Sequence, residues 1–570
     1  MNRSRRGFTV GSFLLLLLAV LSGAAMRVHA EPAKGRLLTA SFLGGPGSDT
    51  LRHTAFDPDG TLWVVGNSDA APGNAALLPF PADPRSRYRQ SFVARLSTRF
   101  DRAEAIAWSP PGGVELTTVL PDGKSVYVAG YATVALKPLA ANGALPTPAA
   151  DPGTFEPFTP AEHYSHPRFD PATAERGIPF VARLSRDLRS LDACTYLEGW
   201  QSRWHVPKPL GEDWTQRTLL GRLSGGDLVV VHDGGYNRIP DAGETAGLEH
   251  FYHAPDHVSR LSPDLRARRW TTEISMNPVD PAKAGRFLRA APTAHALTRW
   301  APADPEAPWP WSSLGNTHAL DLAMGAGDTF HVAGYSSSRT AEEPWWAPFL
   351  ISFTANGTQS GAAYTTDPMS GSDGRLDGQV SDSAIAAVGA DPSGKILFSG
   401  IADGGNSVLR RNPFDAGRAA ENIRGNPWGF RGRTLFWGIV GAIDPGTRSL
   451  AGGAALFGHV NAKLQPAWAT AIAPMPGAAC MVAGRNAGGF AEKPDLGKPG
   501  PGSFVRLYRP DFQPALTAAF PGVRLHHLAA RGKRAAAVGD AAMPSAITAS
   551  PLQSELRGPT DGYVVVIDLP

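Results

Sequence analysis

The sequence predicts an all-β fold, namely a seven-bladed β-propeller built from four-stranded antiparallel blades. Three observations support this prediction: the composition, a recurring pair of apolar strands, and a strand that is surplus at one end of the chain and missing at the other. Glycine and proline contribute 63 and 51 of the 570 residues, well above the usual share of about 12%. Together with many short apolar runs, this composition indicates numerous strands and tight turns.

The repeat starts with two apolar strands, A and B, joined by an Asp/Pro/Gly turn, and strand B ends in Val-Ala-Gly or a similar triplet. The clearest copy spans Ala55–Gly66, with the turn at Asp57–Gly60. Such internal similarity is typical of repeat architectures. The other A–B copies lie at 118–130, 220–234, 320–334, 386–400, 469–484 and 528–539.

A third strand, C, often reads Phe-Val-Ala-Arg-Leu, and a fourth strand, D, follows it after a short turn. The C strands are predicted at 92–96, 180–184, 257–261, 349–353, 438–443, 504–508 and 563–568. No D strand follows the last C strand, whereas an unpaired D-like strand stands at 37–45. We expect strand 37–45 to pair with strand 563–568 and close the ring, because closure removes exposed strand edges.

Three segments resemble the SBBP β-propeller repeat, whose pattern is YLGGSGxD, IAVDxxGN, YVTG and FVAKL. They are Ser41–Asp49 (SFLGGPGSD), Phe56–Gly60 (FDPDG) and Val64–Gly66 (VVG). The resemblance is strong in the first, second and fifth units, and the third and sixth units depart from it at 222–226 and 474–477. It implies a propeller fold and brings no shared active site.

Residues 1–30 have the layout of a secretory signal peptide. Arg3, Arg5 and Arg6 precede an apolar stretch at 13–26, and Val28-His29-Ala30 offers a cleavage site. The leucine-rich stretch favours the Sec pathway, and the segment 4–8 (SRRGF) keeps the twin-arginine pathway as an alternative. We therefore expect export to the periplasm, cell surface or exterior, no transmembrane segment after cleavage, and a single propeller domain over 31–570.

Charge and motifs exclude several classes of function. The formal net charge is +3 and the charges are interspersed, so the chain lacks the basic stripe of a nucleic-acid partner. No phosphate-binding loop, dinucleotide fingerprint, haem-attachment motif or nucleophile elbow stands in the required context. We expect no cofactor, and the sequence favours a binding protein over an enzyme.

Long connections are predicted on one face of the propeller. About 540 residues follow the signal peptide, or about 77 per blade, whereas a bare repeat needs about 40–45. The surplus lies mainly near 132–179, 277–315 and 402–437. These insertions join strand B to C or strand D to A, and such connections share one face of an antiparallel disc. Long connections in compact domains often carry function.

The insertions and their edges are rich in tryptophan. Two interpretations are open: the rings form small cores that pin the loops to the disc, or they form a platform that stacks sugars or grips a protein. In the second interpretation the ligand-binding residues are Trp309, Trp311, Trp345, Trp346 and Trp428.

Three polar residues are added to this candidate site. His318 and Asp321 are expected where the fourth A strand enters the central channel, and His53 holds a similar place in the first blade, as does the pair His526-His527 in the last. His and Asp are natural metal ligands, yet no metal-binding motif accompanies them, and no metal is predicted.

These observations predict a non-catalytic binding or scaffold protein that uses an aromatic-rich loop face to bind a protein or a glycan. The alternative is a hydrolase or lyase with its site at the mouth of the propeller channel. Both a metal-dependent and a metal-independent site are open.

Overall fold

The structure is a computed structural model that describes most of the chain after residue 34. The described residues are 35–84, 88–132, 178–197, 217–232, 256–274, 316–337, 346–364, 383–402, 408–420, 422–425, 436–461, 463–477, 479–543, 547–548 and 551–569. Of the predicted insertions, 277–315 lies wholly outside these residues, 132–179 almost wholly, and 402–437 partly.

The described residues form thirty-two strands and two single 3-10 turns, at Ala326–Asp328 and Val408–Arg410. The strands are β1 (Arg36–Leu43), β2 (Asp49–Phe56), β3 (Leu62–Ser68), β4 (Gln90–Leu96), β5 (Ala103–Trp108), β6 (Val114–Pro121), β7 (Ser125–Ala132), β8 (Ile178–Ser185), β9 (Leu191–Tyr196), β10 (Leu219–Arg222), β11 (Leu228–His232), β12 (His257–Leu261), β13 (Arg268–Glu273), β14 (Asn316–Met324), β15 (Phe330–Ser337), β16 (Trp346–Phe353), β17 (Gln359–Ala363), β18 (Ser383–Ala390), β19 (Ile396–Ala402), β20 (Arg411–Asn412), β21 (Asp415–Ala419), β22 (Ile423–Arg424), β23 (Trp437–Asp444), β24 (Ser449–Val460), β25 (Lys463–Ala473), β26 (Cys480–Asn486), β27 (Leu496–Gly497), β28 (Gly502–Tyr508), β29 (Pro514–Pro521), β30 (Val523–Arg531), β31 (Arg534–Ala541) and β32 (Asp561–Asp568).

The strands build a β-propeller of antiparallel sheets. The first sheet (β2–β5), second sheet (β6–β9), third sheet (β10–β13) and fourth sheet (β14–β17) each contain four strands in chain order. A terminal sheet has the order β1-β32-β31-β30. Each predicted A–B pair and C strand corresponds to observed strands, because the short apolar runs and the turn residues agree on the same boundaries.

The fifth and sixth predicted units are joined in one ten-stranded sheet, the long sheet, which differs from the expectation of separate blades. Its order is β18-β19-β23-β24-β25-β26-β28-β29-β27, with β22 added alongside β24. The physical reason is the connection from β24 to β25. The two strands extend past their own units and pair with each other from Phe457 to Val460, so hydrogen bonds continue from one unit into the next.

The two ends of the described chain meet in the terminal sheet. Strand β1 pairs antiparallel with β32, from Arg36 with Asp568 to Leu43 with Gly562. The ring of Phe42 lies 5.6 Å from the ring of Tyr563, edge to face. Both side chains belong to the buried apolar cluster that also includes residues of β25 to β31.

Apolar clusters fill the spaces between successive sheets. One cluster combines Leu51 and Val64 of the first sheet with Val538 and Val566 of the terminal sheet. Other clusters join the first sheet to the second, the second to the third, the third to the fourth, and the fourth to the long sheet. Both faces of most strands are buried, which explains why those strands read as almost continuous apolar runs.

Connection length separates the two faces of the propeller. Among the described strands, every A–B and C–D connection contains two to six residues. All longer connections join B to C or D to A. Since strand direction alternates within a sheet, these longer connections leave from the same face, which we call the insertion face.

The described part of the insertion 402–437 packs on the long sheet. Leu409 is fully buried, and the guanidinium of Arg410 lies 5.1 Å from the ring centroid of Trp437, which is itself fully buried. Trp437, at the edge of an insertion, is therefore part of the buried core and not of an exposed platform. No helix among the described residues has the length and hydropathy needed to cross a membrane.

Candidate functional site

Six A strands carry a β-bulge at the same place. In β2 the register with β3 shifts between Leu51 and His53, so Arg52 is the extra residue. The extra residues of the other five strands are Thr117, Leu320, Ala386, Thr470 and His526. A bulge re-aims the side chains around it. Since β2 contacts the A strands β6 and β30, these bulges shape the wall of the central channel.

A glycine of strand B lies opposite the bulge. A Cβ on Gly130 would lie 1.9 Å from the carbonyl oxygen of Glu115, and one on Gly539 would lie 1.7 Å from that of Arg524. These distances leave no room for a side chain, which explains the glycine at the end of the repeated strand B. Strand β10 pairs with β11 without a bulge, and there His232 takes the place of the glycine.

Two histidines follow bulges and stack on each other. The rings of His53 in the first sheet and His527 in the terminal sheet have centroids 3.8 Å apart. The Nδ1 atom of His527 accepts a hydrogen bond from the backbone N–H of Thr54 at 3.3 Å, and that of His53 accepts one from Val119 at 3.5 Å. Both contacts reach the next A strand, whose inner edge would otherwise leave a buried N–H unpaired.

Both imidazoles are neutral. Burial lowers the pKa of His53 to about 3, and the positive charge of Arg217 lowers it as well. Burial, His53 and Arg217 also bring the pKa of His527 well below its usual value. Because Nδ1 acts as an acceptor, each neutral ring carries its proton on Nε2. Each ring therefore keeps one N–H donor that its Nδ1 contact does not use.

Asp321 occupies the corresponding position in β14. Its Oδ2 accepts a hydrogen bond from the backbone N–H of Val388 at 2.9 Å, and its Oδ1 accepts one from Leu322 at 2.9 Å. Burial raises the pKa of Asp321 to about 6, against the lowering by these two hydrogen bonds and by Arg217. The carboxyl group thus repeats the contact to the next A strand that the two histidines make.

Arg217 connects these groups electrostatically. It lies two residues before β10 and is 8% exposed, as is Arg52. Burial lowers the pKa of Arg217 to about 10, the charge of Arg52 adds to this lowering, and Asp321 opposes it. The charge of Arg217 also acts on His53 and His527. These five residues, from the first, third, fourth and terminal sheets, are called the channel cluster.

A buried His–Asp pair in the terminal sheet is separate from the channel cluster. His526 Nε2 lies 2.6 Å from Asp540 Oδ1, and both side chains are fully buried. Arg524 donates from Nε to Asp540 Oδ2 at 2.8 Å. Burial favours a higher pKa for Asp540, but the contacts with His526 and Arg524 bring it below the usual value. His526 and Asp540 are fully buried, whereas the side chain of Arg524 is 43% exposed, and the network holds the bulge of β30 in place.

A second buried carboxyl group lies where β1 leads into β2. Asp49 is fully buried, and its Oδ2 accepts a hydrogen bond from the N–H of Gly45 at 2.8 Å. Its own N–H donates to the carbonyl of Thr560 at 2.8 Å. Burial raises the pKa of Asp49 to about 7, and the negative charge of Asp561 raises it too. These contacts tie the start of β2 to the segment before β32.

Two of the predicted site residues interact electrostatically with the same group, Arg217. His53 and Asp321 both belong to the channel cluster, whereas His318 is 4% exposed and its ring lies 4.9 Å from that of Tyr335. His318 precedes the bulge and is in register with Tyr335, so it packs against the neighbouring strand. Trp346 begins β16, in register with Ser337. The remaining predicted residues, Trp309, Trp311, Trp345 and Trp428, lie outside the described residues.

The sequence prediction did not include Arg52 or Arg217. When the repeats are aligned on the glycine that ends strand B, His53, Asp321 and His527 fall at equivalent positions, twelve or thirteen residues before it. This alignment could have identified the three residues as a group. Arg52 is adjacent to such a position, but only the bulge reveals its orientation. Arg217 lies two residues before the A strand β10, whose partner strand has His232 in place of the glycine, so the alignment gives no warning of it.

Within the part of the chain that the structure describes, no three His, Cys, Asp or Glu side chains converge as a metal ion requires. The channel cluster instead combines two guanidinium groups, two neutral imidazoles and one carboxyl group. Both carboxyl oxygens of Asp321 accept backbone hydrogen bonds.

No family model and no curated protein matches this chain. Among solved structures, a polysaccharide lyase of family PL25, an ulvan lyase bound to -[GlcA(1-4)Rha3S]-, shares 7% identity and a TM-score of 0.40 over 93% of this chain and 96% of its own. BamB from Moraxella catarrhalis shares 10% identity and a TM-score of 0.31 over 91% and 85%. The β-propeller domain of the Trilobed protease from Pyrococcus furiosus shares 7% identity and a TM-score of 0.36 over 91% and 92%. At such levels, likeness carries no information on activity.

Proposed function

We propose that this protein is an exported, non-catalytic binding or scaffold protein that takes a protein or glycan ligand on its insertion face. The observation that carries the proposal is the channel cluster. His53 and His527 stack on each other, and Arg52, Arg217 and Asp321 interact with them or with one another electrostatically, in a place where apolar side chains would stabilise the fold at lower cost. Buried polar groups that converge in a concave place are the usual mark of a ligand site.

The proposal includes a ring of seven blades closed by the chain ends. The long sheet contributes two blades, β18-β19-β23-β24 and β25-β26-β28-β29, to the five separate sheets. The pairing of β1 with β32 and the apolar cluster between the terminal and first sheets support closure. The resemblance to the SBBP repeat agrees with this architecture and is kept as a proposal of family membership.

Export through the Sec pathway also belongs to the proposal. The layout of residues 1–30 supports it. Fusing these residues to alkaline phosphatase, which is active only after export, tests it directly. A fusion that stays inactive, beside an active control with an established signal peptide, would contradict export.

Binding is tested with the mature chain, residues 31–570, on a glycan array and in pull-downs from envelope extracts. Any ligand is then titrated by calorimetry against a variant in which Trp309, Trp311, Trp345 and Trp346 are alanine. We expect at least tenfold weaker binding, or about 1.4 kcal/mol. Arg189→Ala, at a side chain that is 87% exposed on the opposite face, is the matched control. Equal binding by the wild type and the tryptophan variant would refute the aromatic platform.

A hydrolase or lyase at the channel mouth is the second candidate. The observation in its favour is the pKa of Asp321, raised to about 6 by burial, since a general acid or base works best with a pKa near the working pH. Turnover of a polysaccharide by the mature chain, abolished in Asp321→Asn with unchanged ligand binding, would support this function over the first.

A further inference from the structure

We propose that a pocket in the sixth unit binds one hydroxyl group of a neutral glycan, with the side-chain amide of Asn486 as a hydrogen-bond donor. The pocket lies between the connection 487–501 and strands β26, β28 and β29. This connection joins strand B to strand C and therefore belongs to the insertion face. The assignment to a glycan rests on the proposed binding function, whereas the pocket rests only on the described residues.

The connection that covers the pocket is held in place by backbone contacts. Its strand β27 pairs in parallel with β29 at residues 496–497. The N–H of Asp495 donates to the carbonyl of Thr517 at 2.7 Å, and the carbonyl of Gly489 accepts from the N–H of His459 at 2.8 Å. The pocket is thus formed before any ligand arrives, which lowers the entropic cost of binding.

The size of the pocket selects a small group. Its volume is about 20 Å³, and an ordered water needs roughly 10–15 Å³. The pocket therefore accepts a group of the size of a hydroxyl and excludes a sugar ring. Phe490, Pro494 and Pro499 are among the residues that line it, so a ring that stays outside meets apolar side chains there.

Asn486 supplies a donor that the protein itself does not use. The residue ends β26, lines the pocket and is 3% exposed. Its Oδ1 accepts a hydrogen bond from the N–H of Gly488 at 3.0 Å, which fixes the orientation of the amide. Its buried Nδ2 has no hydrogen-bond partner. Because an unpaired buried donor costs free energy, an oxygen atom in the pocket would stabilise this side chain.

Ser503 adds a second donor at the pocket. It is 3% exposed, and its Oγ accepts from the N–H of Leu525 at 2.8 Å. Ser91 in the first sheet bonds the next A strand in the same way and also donates to Oδ1 of Asn67, its neighbour in register, at 2.9 Å. Arg485 takes the place of Asn67 in the sixth unit. An arginine side chain offers no acceptor, so the hydroxyl proton of Ser503 remains for the pocket.

Charge at the pocket favours a neutral ligand. The carboxylate that lines it, from Glu492, forms an ion pair with Arg506. The guanidinium of Arg506 also lies 3.6 Å from the ring centroid of Phe490 and donates from Nε to Thr517 Oγ1 at 3.1 Å. The negative charge of Glu492 is therefore compensated. Its side chain is 49% exposed, and a carboxylate keeps further acceptor positions for a ligand hydroxyl.

A sugar matches this combination of groups. One hydroxyl oxygen can accept from Asn486 and Ser503 inside the pocket, while a hydroxyl on the adjacent carbon donates to Glu492. The apolar face of the ring then lies against the apolar side chains at the pocket. A serine or threonine side chain of a partner protein offers a single hydroxyl and leaves Glu492 without its share of the contact.

The test is calorimetric titration of the mature chain, residues 31–570, with maltohexaose, cellohexaose and mannohexaose. We expect saturable binding of at least one of them, weaker by about tenfold or more in Asn486→Asp. This variant keeps the acceptor for Gly488 and loses the donor. Asn356→Asp, the same change at an exposed residue between β16 and β17 on the opposite face, is the control and should bind like the wild type.

A second variant keeps the test decisive where Asn486→Asp loses its thermal unfolding transition. Glu492→Gln changes a half-exposed side chain and should weaken binding by about threefold or more. Wild-type crystals soaked in the bound hexasaccharide must show a sugar oxygen within hydrogen-bond distance of Asn486 Nδ2. A water at that place with the sugar elsewhere, or equal binding by the wild type and the folded variants, would overturn the pocket.

The outcomes separate this inference from the proposed function. A glycan that Asn486→Asp binds as tightly as the wild type overturns the pocket and leaves the binding function standing. Capture of a protein ligand without binding of any of the three hexasaccharides overturns the assignment to a glycan and also leaves the binding function standing. Absence of every ligand, protein or glycan, defeats both.

Discussion

The imidazole rings of His53 and His527 stack with their centroids 3.8 Å apart, although 473 residues separate Thr54, beside His53, from His527. The contact crosses from the first sheet to the terminal sheet and uses the residue that follows the bulge in each inner strand. In each ring, Nδ1 also accepts a hydrogen bond from a backbone N–H of the next A strand. One pair of side chains thus joins two sheets and lines the channel.

Loss of either ring should destabilise the protein because it leaves a poorly solvated backbone N–H without its acceptor. We expect His527→Ala and His53→Ala each to lower the free energy of unfolding by about 1–3 kcal/mol. Because the rings touch, the double variant should lose less than the sum, with a coupling of about 0.5–1.5 kcal/mol. Urea unfolding of the four proteins measures this. Strict additivity would contradict a direct interaction between the two rings.

The neutral histidines predict a loss of stability on acidification. Between the usual pKa near 6.5 and the native value of about 3 for His53, the unfolded chain binds a proton that the native state does not. Stability therefore falls as the pH drops through this window, by up to about 1.4 kcal/mol per pH unit. His53→Gln should flatten the profile of unfolding free energy between pH 7 and pH 4. An unchanged slope in this variant would show that His53 is not buried in its neutral form.

Asp49 predicts the opposite dependence on pH. Its native pKa is about 7, against the ordinary value of 3.8 for an aspartate, so the native state binds a proton more readily than the unfolded chain between these values. Stability contributed by this group is present at low pH and is lost as the pH rises towards 7 and above. We expect Asp49→Asn to stabilise the protein at pH 8 and to have little effect at pH 4.

Asp192→Asn, at an exposed residue, is the control for this measurement and should change little at either pH. A larger stability gain for Asp49→Asn at pH 4 than at pH 8 would reverse the sign of the effect and refute burial of the charge as its cause.

The bulge and its opposing glycine give a prediction about the fold. Gly130→Ala places a Cβ 1.9 Å from the carbonyl oxygen of Glu115, so the bulge must shift. We expect a loss of about 1–3 kcal/mol or more in the free energy of unfolding. Gly361→Ala in β17 meets no atom within 4 Å and should stay within about 0.5 kcal/mol. Similar losses in both variants would indicate a backbone entropy effect in place of the clash.

The strand pattern was accessible from the sequence because apolar runs and turn residues agree in every unit. Predicted C strands such as 257–261 correspond to β12 residue for residue. The merging of two units into the long sheet was not predictable, since it depends on how far β24 and β25 extend past their units. The merging is seen only in the structure, where residues 457–460 of β24 pair with residues 463–466 of β25.

The candidate site was predictable only in part. His53 and Asp321 stand out as polar residues in apolar strands, and so does His318. From sequence position alone, all three residues are equally good candidates for lining the channel. In the structure a bulge between Ala319 and Asp321 changes the register, so that His318 and Asp321 have different surroundings. Arg217 lies outside any regular strand, and its place near the other four residues follows from the meeting of distant A strands at the centre.

The pairing of β1 with β32 predicts that the first described strand is essential for stability. Phe42 is 2% exposed and packs against Tyr563, so Phe42→Ala should cost about 3–5 kcal/mol. Leu77→Ala, at a side chain that is 59% exposed, should stay within about 0.5 kcal/mol. A chain that begins after Leu43 would expose the edge of β32 and should aggregate. Thermal unfolding and light scattering measure both effects, and a monomeric truncated chain with an unchanged melting temperature would show that β1 does not hold the ring together.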